Sequence, residues 1–542
     1  MGLIPIQEHQ WKLQSISNFT GGMAVPPRDD TEASVVDNFI ITRAGTLVTR
    51  PGTTLLNAAS LGTAHTVGLG LGTVTPSGTP KIPRRVLFVI KDEEDGAYFA
   101  DYYWNISGLS FTGPLSSPDP SGNPVKMESV DTAEGSSLGE YITIFACSAW
   151  ENLQYCDGVN WGTLVTTPAA TDPKYCRYVR LAGQRVYAAG NDSDPYTVWF
   201  SEAGDPESWP ATNSFKVPAS RGRITGLERQ SGVLLIFTER CILQLQGDPP
   251  SNFKLSTIHE NIGCPAPNTL STSGAVTAFM HGSGFTYISG GLEAFGEKIE
   301  GGLWPPRANN LILPWSALAW GELTPNYYFF RTQHMGDVED EDYVPGQEFL
   351  YMYDRNRFKS WVRFSYPVHS GLGSTNPRLC PILWVEDMQG LILAGGDGNL
   401  YVQPLPIIND EFQYYATSWD TNLDVTPGGD DAHVQSSYTS RYLTFGSQTM
   451  TKNWRRVAVG GCGLVGHITI DCLDADGSQS SVLVKGGGYT EIPFQVDSPS
   501  IEDPTRKSLV TAMRIKVDGL AMLLNNLDIT WRPVRLSTRK HT

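Results

Sequence analysis

Arg185-Val186-Tyr187-Ala188-Ala189, the turn Asn191-Asp192-Ser193-Asp194-Pro195 and Tyr196-Thr197-Val198-Trp199-Phe200 follow one another inside the stretch from Arg177 to Gly247. The two outer runs are aromatic and β-branched and the middle one is built of turn formers, so they read as an antiparallel hairpin. A polar loop, Ser201-Glu202-Ala203-Gly204-Asp205-Pro206-Glu207-Ser208-Trp209-Pro210, leads on to Ile224-Thr225-Gly226-Leu227 and Val233-Leu234-Leu235-Ile236-Phe237. After Thr238-Glu239-Arg240 comes Cys241-Ile242-Leu243-Gln244-Leu245, a second hairpin. Short strands and tight turns recurring every ~40–50 residues predict a β-propeller.

Working outward, the same unit recurs. Val86 to Ile90 and Tyr98 to Trp104 flank the acidic turn Asp92, Glu93, Glu94, Asp95, Gly96, and Tyr141 to Ala146 precede Leu153 to Cys156. Val276 to Met280 pair with Phe285 to Ser289; Tyr327 to Arg331, Phe349 to Tyr353 and Trp361 to Phe364 give a further blade. Leu391 to Ala394 and Leu400 to Val402 close the series around Gly395-Gly396-Asp397-Gly398-Asn399. The expectation is an all-β chain with a propeller of about six to seven blades over residues 58–409. Before it, residues 1–57 read as an arm with a short helix through Glu32 to Val36, capped by Asp29 or Asp30, and a hairpin ending at Pro51-Gly52. Gly68-Leu69-Gly70-Leu71-Gly72 lacks the Lys-Ser/Thr of a phosphate loop and reads as a flexible excursion, and residues 311–323 read as a brief helical insert. Residues 410–434 are a polar connector, and 435–542 a β-sandwich-like domain of several short strands.

Composition agrees with many strands joined by turns: 55 Gly, 36 Pro, and 18% charged residues. The net charge of -16 argues against a phosphate-gripping surface, which needs clustered Lys and Arg. Residues 435–542 hold 13 Lys and Arg against 9 Asp and Glu, so that part carries +4 and residues 1–434 carry -20. The chain has no run of 18 apolar residues and its start lacks a signal-peptide pattern, so the expectation is a protein made in a cytoplasm without a membrane anchor. The eight cysteines, at 147, 156, 176, 241, 264, 380, 462 and 472, include no Cys-x-x-Cys. They read as buried reduced thiols, with a disulfide between Cys462 and Cys472 or between Cys147 and Cys156 as the alternative.

No Walker, His-Glu-x-x-His or Gly-x-Ser-x-Gly pattern occurs, and no catalytic, metal or cofactor site is expected. Sialidase-type propellers carry Ser-x-Asp-x-Gly-x-Thr-Trp in their blade turns; here Ser201 to Trp209 is one residue longer and puts Ala203 in place of the Asp. No set of arginines stands out at matching blade positions. Asp474-Ala475-Asp476-Gly477 lacks the later ligands of a calcium loop and reads as a hairpin turn. The run Asp337, Val338, Glu339, Asp340, Glu341, Asp342 reads as a solvated acidic loop.

One set of signatures resembles a known family. Asn38-Phe39-Ile40, Gly45-Thr46-Leu47 and Arg50-Pro51-Gly52 come first, then Val198-Trp199-Phe200-Ser201-Glu202 and Asp205-Pro206-Glu207-Ser208-Trp209. Arg223 to Gly247, Gly263-Cys264, Tyr351 to Asp354 with Trp361, and Leu443-Thr444-Phe445-Gly446-Ser447 continue the order. Together these scattered signatures, spread over residues 15–535, resemble the tail hub or nozzle proteins of short-tailed bacteriophages. The resemblance implies a non-enzymatic virion tail protein, assembled in the host cytoplasm. It implies a homohexameric ring below the adaptor ring at the portal vertex, meeting a tail fibre or tailspike and a needle or plug. DNA would pass through without specific binding. Asn38, Gly45, Arg50, Pro51, Gly52, Trp199, Ser201, Asp205 and Trp209 would be its structural positions. The acids Asp92, Glu93, Glu94, Asp95, Asp337, Glu339, Asp340, Glu341 and Asp342 are the expected lining of the channel or its rim. A receptor-binding or glycan-degrading tail protein is the alternative.

Overall fold

The structure, a computed structural model, describes residues 11–24, 27–75, 82–92, 96–101, 109–132, 138, 140–164, 173–282, 284–299, 318–333, 348–366, 379, 381–405, 423–424, 432–445, 452–473, 479–485, 490–491, 494–497 and 509–533. Glu93, Glu94, Asp95, the whole 337–342 acidic run, Cys380 and the Asp474 turn lie outside them.

The chain is all-β, and its centre is a propeller. Blade 1 comprises Thr66–Val74, Arg84–Lys91, Ala97–Asp101 and Thr112–Leu115; blade 2 comprises Lys126–Asp131, Tyr141–Ala146, Gln154–Cys156 and Trp161–Thr163. Blade 3 runs from Tyr178–Ala182 through Arg185–Ala189 and Thr197–Phe200 to Ser214–Lys216. Blade 4 holds Ile224–Gln230, Val233–Thr238, Ile242–Asp248 and Asn252–His259; blade 5 holds Ser271–Ser273, Val276–His281, Gly284–Ile288 and Leu292–Ala294. Ile382–Val385, Gly390–Ala394 and Leu400–Pro404 form the last blade, and Thr54–Leu55, from the other end of the chain, supplies its fourth strand. These six are free-standing four-stranded antiparallel sheets. The place in the ring between blade 5 and the last blade is taken by Trp320–Leu323, Tyr327–Gln333, Glu348–Asp354 and Ser360–Tyr366, which continue into a larger sheet. The first strand of each unit lies beside that of the next, and Ile382–Val385 returns beside Thr66–Val74, so the ring closes.

Apolar clusters between blades hold the ring. Val130, Ile142, Ile144 and Leu153 of blade 2 share one cluster with Val179, Val186 and Trp209 of blade 3. Second strands such as Val233–Thr238 are covered on both faces, so they read as continuous apolar runs rather than alternating ones.

The Gly-rich run at 68–72 is not a flexible excursion; it is the innermost strand of blade 1. Its glycines let neighbours approach: a Cβ on Gly70 would meet Met127 and one on Gly72 would meet Thr143 and Phe88. The helix expected through Glu32 to Val36 is also corrected. Glu32–Asp37 is a strand, antiparallel to Gln435–Ser440 and parallel to Gly22–Met23. Trp320–Leu323, read as the end of a helical insert, is an innermost blade strand.

Around the propeller, both ends of the chain build one β-domain. Two 22-residue strands, Lys452–Leu473 and Ala512–Pro533, pair antiparallel along their length, where several short strands were expected. Register shifts at Trp454/Arg456, Gly460/Gly461, Cys462/Leu464 and Val465/His467 interrupt the ladder, and such irregularities bend a strand and increase its local twist. The N-terminal Lys12–Ile16 pairs with Leu527 to Trp531, and Leu47–Thr49 of the hairpin Phe39–Ile41/Leu47–Thr49 pairs with Leu523 and Leu524. Residues 12–49 therefore belong structurally with residues 432–533, and the propeller is an insertion between them.

Candidate functional site

The residues singled out by sequence fall into two groups. The first is a buried joint between arm, propeller and β-domain. Asn38 sits at φ 58°, a left-handed conformation that asparagine tolerates better than most residues. Its Nδ2 donates to Ser365 Oγ at 2.9 Å and to the Gln435 carbonyl at 2.7 Å; its Oδ1 accepts from Arg50 Nε at 2.9 Å and from the Ser365 N–H at 3.0 Å. Arg50, fully buried, also donates to the Pro51 carbonyl and to Gln403 Oε1, both at 3.0 Å, and lies 4.7 Å from the centre of the Tyr366 ring. Next to it Arg363 clasps both carboxylate oxygens of Asp37 at 2.6 and 2.5 Å. Asn38, Arg50 and Pro51 thus meet strands from three parts of the molecule. Gly52 is buried beside them. Gly45 turns the neighbouring hairpin at φ 78°.

The second group is the end of blade 3. Trp209 is buried between blades 2 and 3, with Trp199 half-buried against the same cluster, and its Nε1 donates to the Pro206 carbonyl at 2.8 Å. Ser201 Oγ accepts from the Val186 N–H at 3.1 Å, and Asp205 Oδ1 accepts from the Glu207 N–H at 3.0 Å, which fixes the loop. Asp92, the one described acid of its cluster, accepts from the Gly122 N–H at 2.6 Å.

Two arrangements were not found by sequence. Along the axis of the ring the innermost strands bring charges together. Arg180 of blade 3 bridges Glu128 of blade 2 at 3.1 Å and Glu228 of blade 4 at 2.5 Å, and Lys126 Nζ lies 4.2 Å from the centre of the Trp320 ring. Burial pushes Lys126 down to about 8 and Glu322 up to about 7, and it raises Glu128 as well. Burial opposes the charge on Arg180, but Glu228 and Glu128 outweigh it and hold the guanidinium charged. The axis is thus filled by an ionic network tying the blades together.

The other arrangement is a cleft of about 680 Å³ across blades 3, 4 and 5, on the face where the innermost strands begin. Arg177 and Arg223 each stand one residue before an innermost strand, at matching blade positions, which corrects the expectation that no arginines do so. Asp192, from the turn between the second and third strands of blade 3, joins them: its Oδ2 is 2.6 Å from Arg177 and its Oδ1 2.7 Å from Arg223. Glu239 and Arg240 enter from the equivalent turn of blade 4 and His281 from that of blade 5. Burial lowers the His281 pKa and favours the neutral ring.

The cysteines take the simpler reading among the described residues: seven free thiols, with burial pushing Cys147 up to about 11 and Cys156 and Cys264 up to about 12. No group of three or more His, Cys, Asp or Glu suited to a metal ion occurs among the described residues. No described helix is long and apolar enough to cross a membrane.

No protein-family model and no curated protein matches the chain. Among solved structures, YCF48 bound to D1 peptide is similar at 10% identity over 66% of this chain and 100% of that one, with a TM-score of 0.36. PorZ, a surface component of the type-IX secretion system of Porphyromonas gingivalis, is similar at 12% identity over 80% of this chain and 48% of that one, at 0.35. The extracellular domain of a hybrid two-component system from B. thetaiotaomicron is similar at 10% identity over 82% of this chain and 53% of that one, at 0.40. These are likenesses of shape, and nothing about ligand or partner follows from them.

Proposed function

We propose that the chain is a structural tail hub, or nozzle, protein of a short-tailed bacteriophage. It assembles as a homohexameric ring below the portal adaptor, extends the path of DNA ejection and carries out no catalysis. The observation that supports this reading is the joint at Asn38, Arg50 and Pro51. Three of the positions on which the family resemblance rests lock the N-terminal arm, the propeller and the β-domain into one body. A component that must transmit load between an adaptor and a fibre, tailspike or needle needs such a joint, because buried, mutually satisfied polar groups hold one geometry. The excess of acids in residues 1–434 suits a conduit to which DNA does not adhere.

Mass measurement and electron microscopy of the purified chain, alone and with the cognate adaptor, test the reading. Sixfold rings are expected with the adaptor, and duplex DNA should show no measurable affinity at physiological salt. A chain that stays monomeric with the adaptor would overturn it. The second reading is a receptor-binding or glycan-degrading tail protein; the cleft on blades 3 to 5 favours its receptor-binding form, and depolymerisation of host polysaccharide by the purified chain would establish its glycan-degrading form.

A further inference from the structure

The cleft across blades 3 to 5 plays no part in the ring reading, and its chemistry points to a ligand of its own. Its volume of about 680 Å³ falls within the range of about 300–1,000 Å³ usual for built ligand sites. Asp192 spreads one carboxylate over two guanidiniums, and Arg240 has no ion-pair partner among the described residues, so cationic donors outnumber carboxylates. Each guanidinium carries five N–H donors in a planar fork, and one bond to Asp192 leaves a face able to take a carboxylate side-on. Inside, the hydroxyl of Thr225 is buried without a hydrogen-bond partner among the described residues, as is Nε of Arg177. Unpaired buried donors are costly unless a ligand completes them. Between the charges the walls are apolar, supplied by Pro195, Ile224, Ile262 and Pro265.

We propose that this cleft binds an extended polypeptide segment of a partner through an acidic side chain, seating its carboxylate on the guanidinium side formed by Arg177, Arg223 and Arg240 and its apolar residues on the proline and isoleucine walls. The alternatives fit less well. A glycan site offers exposed aromatic faces, whereas the lining Tyr178 is buried. A nucleic-acid backbone repeats its phosphates and needs a continuous track of cations. Three arginines interrupted by Asp192 and Glu239, on a chain of net charge -16, do not supply one, whereas a single carboxylate needs one free guanidinium edge.

The test uses the full chain and a fluorescein-labelled decapeptide of alternating Glu and Val, with a Gln and Val peptide as its neutral match and a short DNA duplex as a second polyanion. Fluorescence anisotropy should show saturable binding of the Glu peptide that weakens with salt, and at least tenfold weaker binding of the Gln peptide and the duplex. Arg240→Ala, at an exposed position, should weaken binding about tenfold, as expected for loss of one charge-assisted contact. Gly282→Phe should abolish it: a Cβ at Gly282 meets nothing within 4 Å, so the ring enters open space and occludes the cleft. Failure of the Glu peptide to bind, equal binding of the Gln peptide or the duplex, or undiminished binding by both variants would overturn the proposal. It rests on the cleft alone, so the outcome of the ring assay leaves it standing.

Discussion

Trp209 and Gly45 show what single residues contribute. Trp209 fills the space between blades 2 and 3 and satisfies its own indole N–H, so Trp209→Ala leaves a large cavity and an unpaired Pro206 carbonyl. Denaturant unfolding should show a loss of about 3–5 kcal/mol, against little change for an exposed control such as Val159→Ala. Gly45 sits at φ 78°, and a Cβ there would lie 2.9 Å from Asn18 Oδ1 and 3.0 Å from Thr20 Cγ2. A β-branched residue meets both the backbone penalty and the clash, so Gly45→Val should lower folded yield and cost at least ~1–2 kcal/mol, read as a lower melting temperature. Both residues were legible in the sequence, because a Trp after a polar turn and a Gly between two strand runs have few other uses. Asn38 and Arg50 were visible only as signatures. Their partners Ser365, Gln403 and Gln435 lie more than 300 residues away, beyond any local pattern.

At the level of elements, local pattern failed where tertiary contacts decide the outcome. The acidic cap and short apolar run at 29–36 satisfy the rules for a helix start, but pairing with Gln435–Ser440 turns the segment into a strand. Gly-Leu alternation at 68–72 looked unstructured because glycine weakens an isolated strand; here close approach of blade 2 is what the glycines permit. The axial charges escaped notice because they stand on four different strands, one or two to each. They yield a pH prediction. Glu322 has its folded pKa raised from 4.5 to about 7 by burial, so the stability it contributes is complete below about pH 4.5 and is lost as pH rises through about 7. Glu322→Gln should therefore match the parent at pH 4 and exceed it at pH 8, by ~3 kcal/mol at most, since each pKa unit is worth about 1.4 kcal/mol. Thermal melts at the two pH values read the difference, and equal gaps at both would refute the assignment.

For the whole molecule, the all-β class and a ring of blades were readable from repeated hairpins, while the cleft was not. Arg177, Asp192, Arg223 and Arg240 lie on separate loops, and only the packing of blade 3 against blade 4 places them together. The weaving of the two chain ends makes a further prediction. A fragment of residues 432–542 lacks Lys12–Ile16, Glu32–Asp37 and Leu47–Thr49, which cover its edges, so it should fail to give a dispersed NMR spectrum alone. Supplying residues 1–53 as a separate chain should restore it. A fragment that folds unaided would show that the N-terminal strands are ornament to that domain.

The same weaving sets an order of events during synthesis. Ser34 and its partner Thr439 are 405 residues apart. At about 5–20 residues per second, the N-terminal strands leave the ribosome roughly 20–80 s before the strands that cover them exist. Through that interval the propeller can close around Thr54–Leu55 only with its final blade, itself a late product. The nascent chain therefore carries an uncovered apolar hairpin, Phe39–Ile41 with Leu47–Thr49, for most of its manufacture.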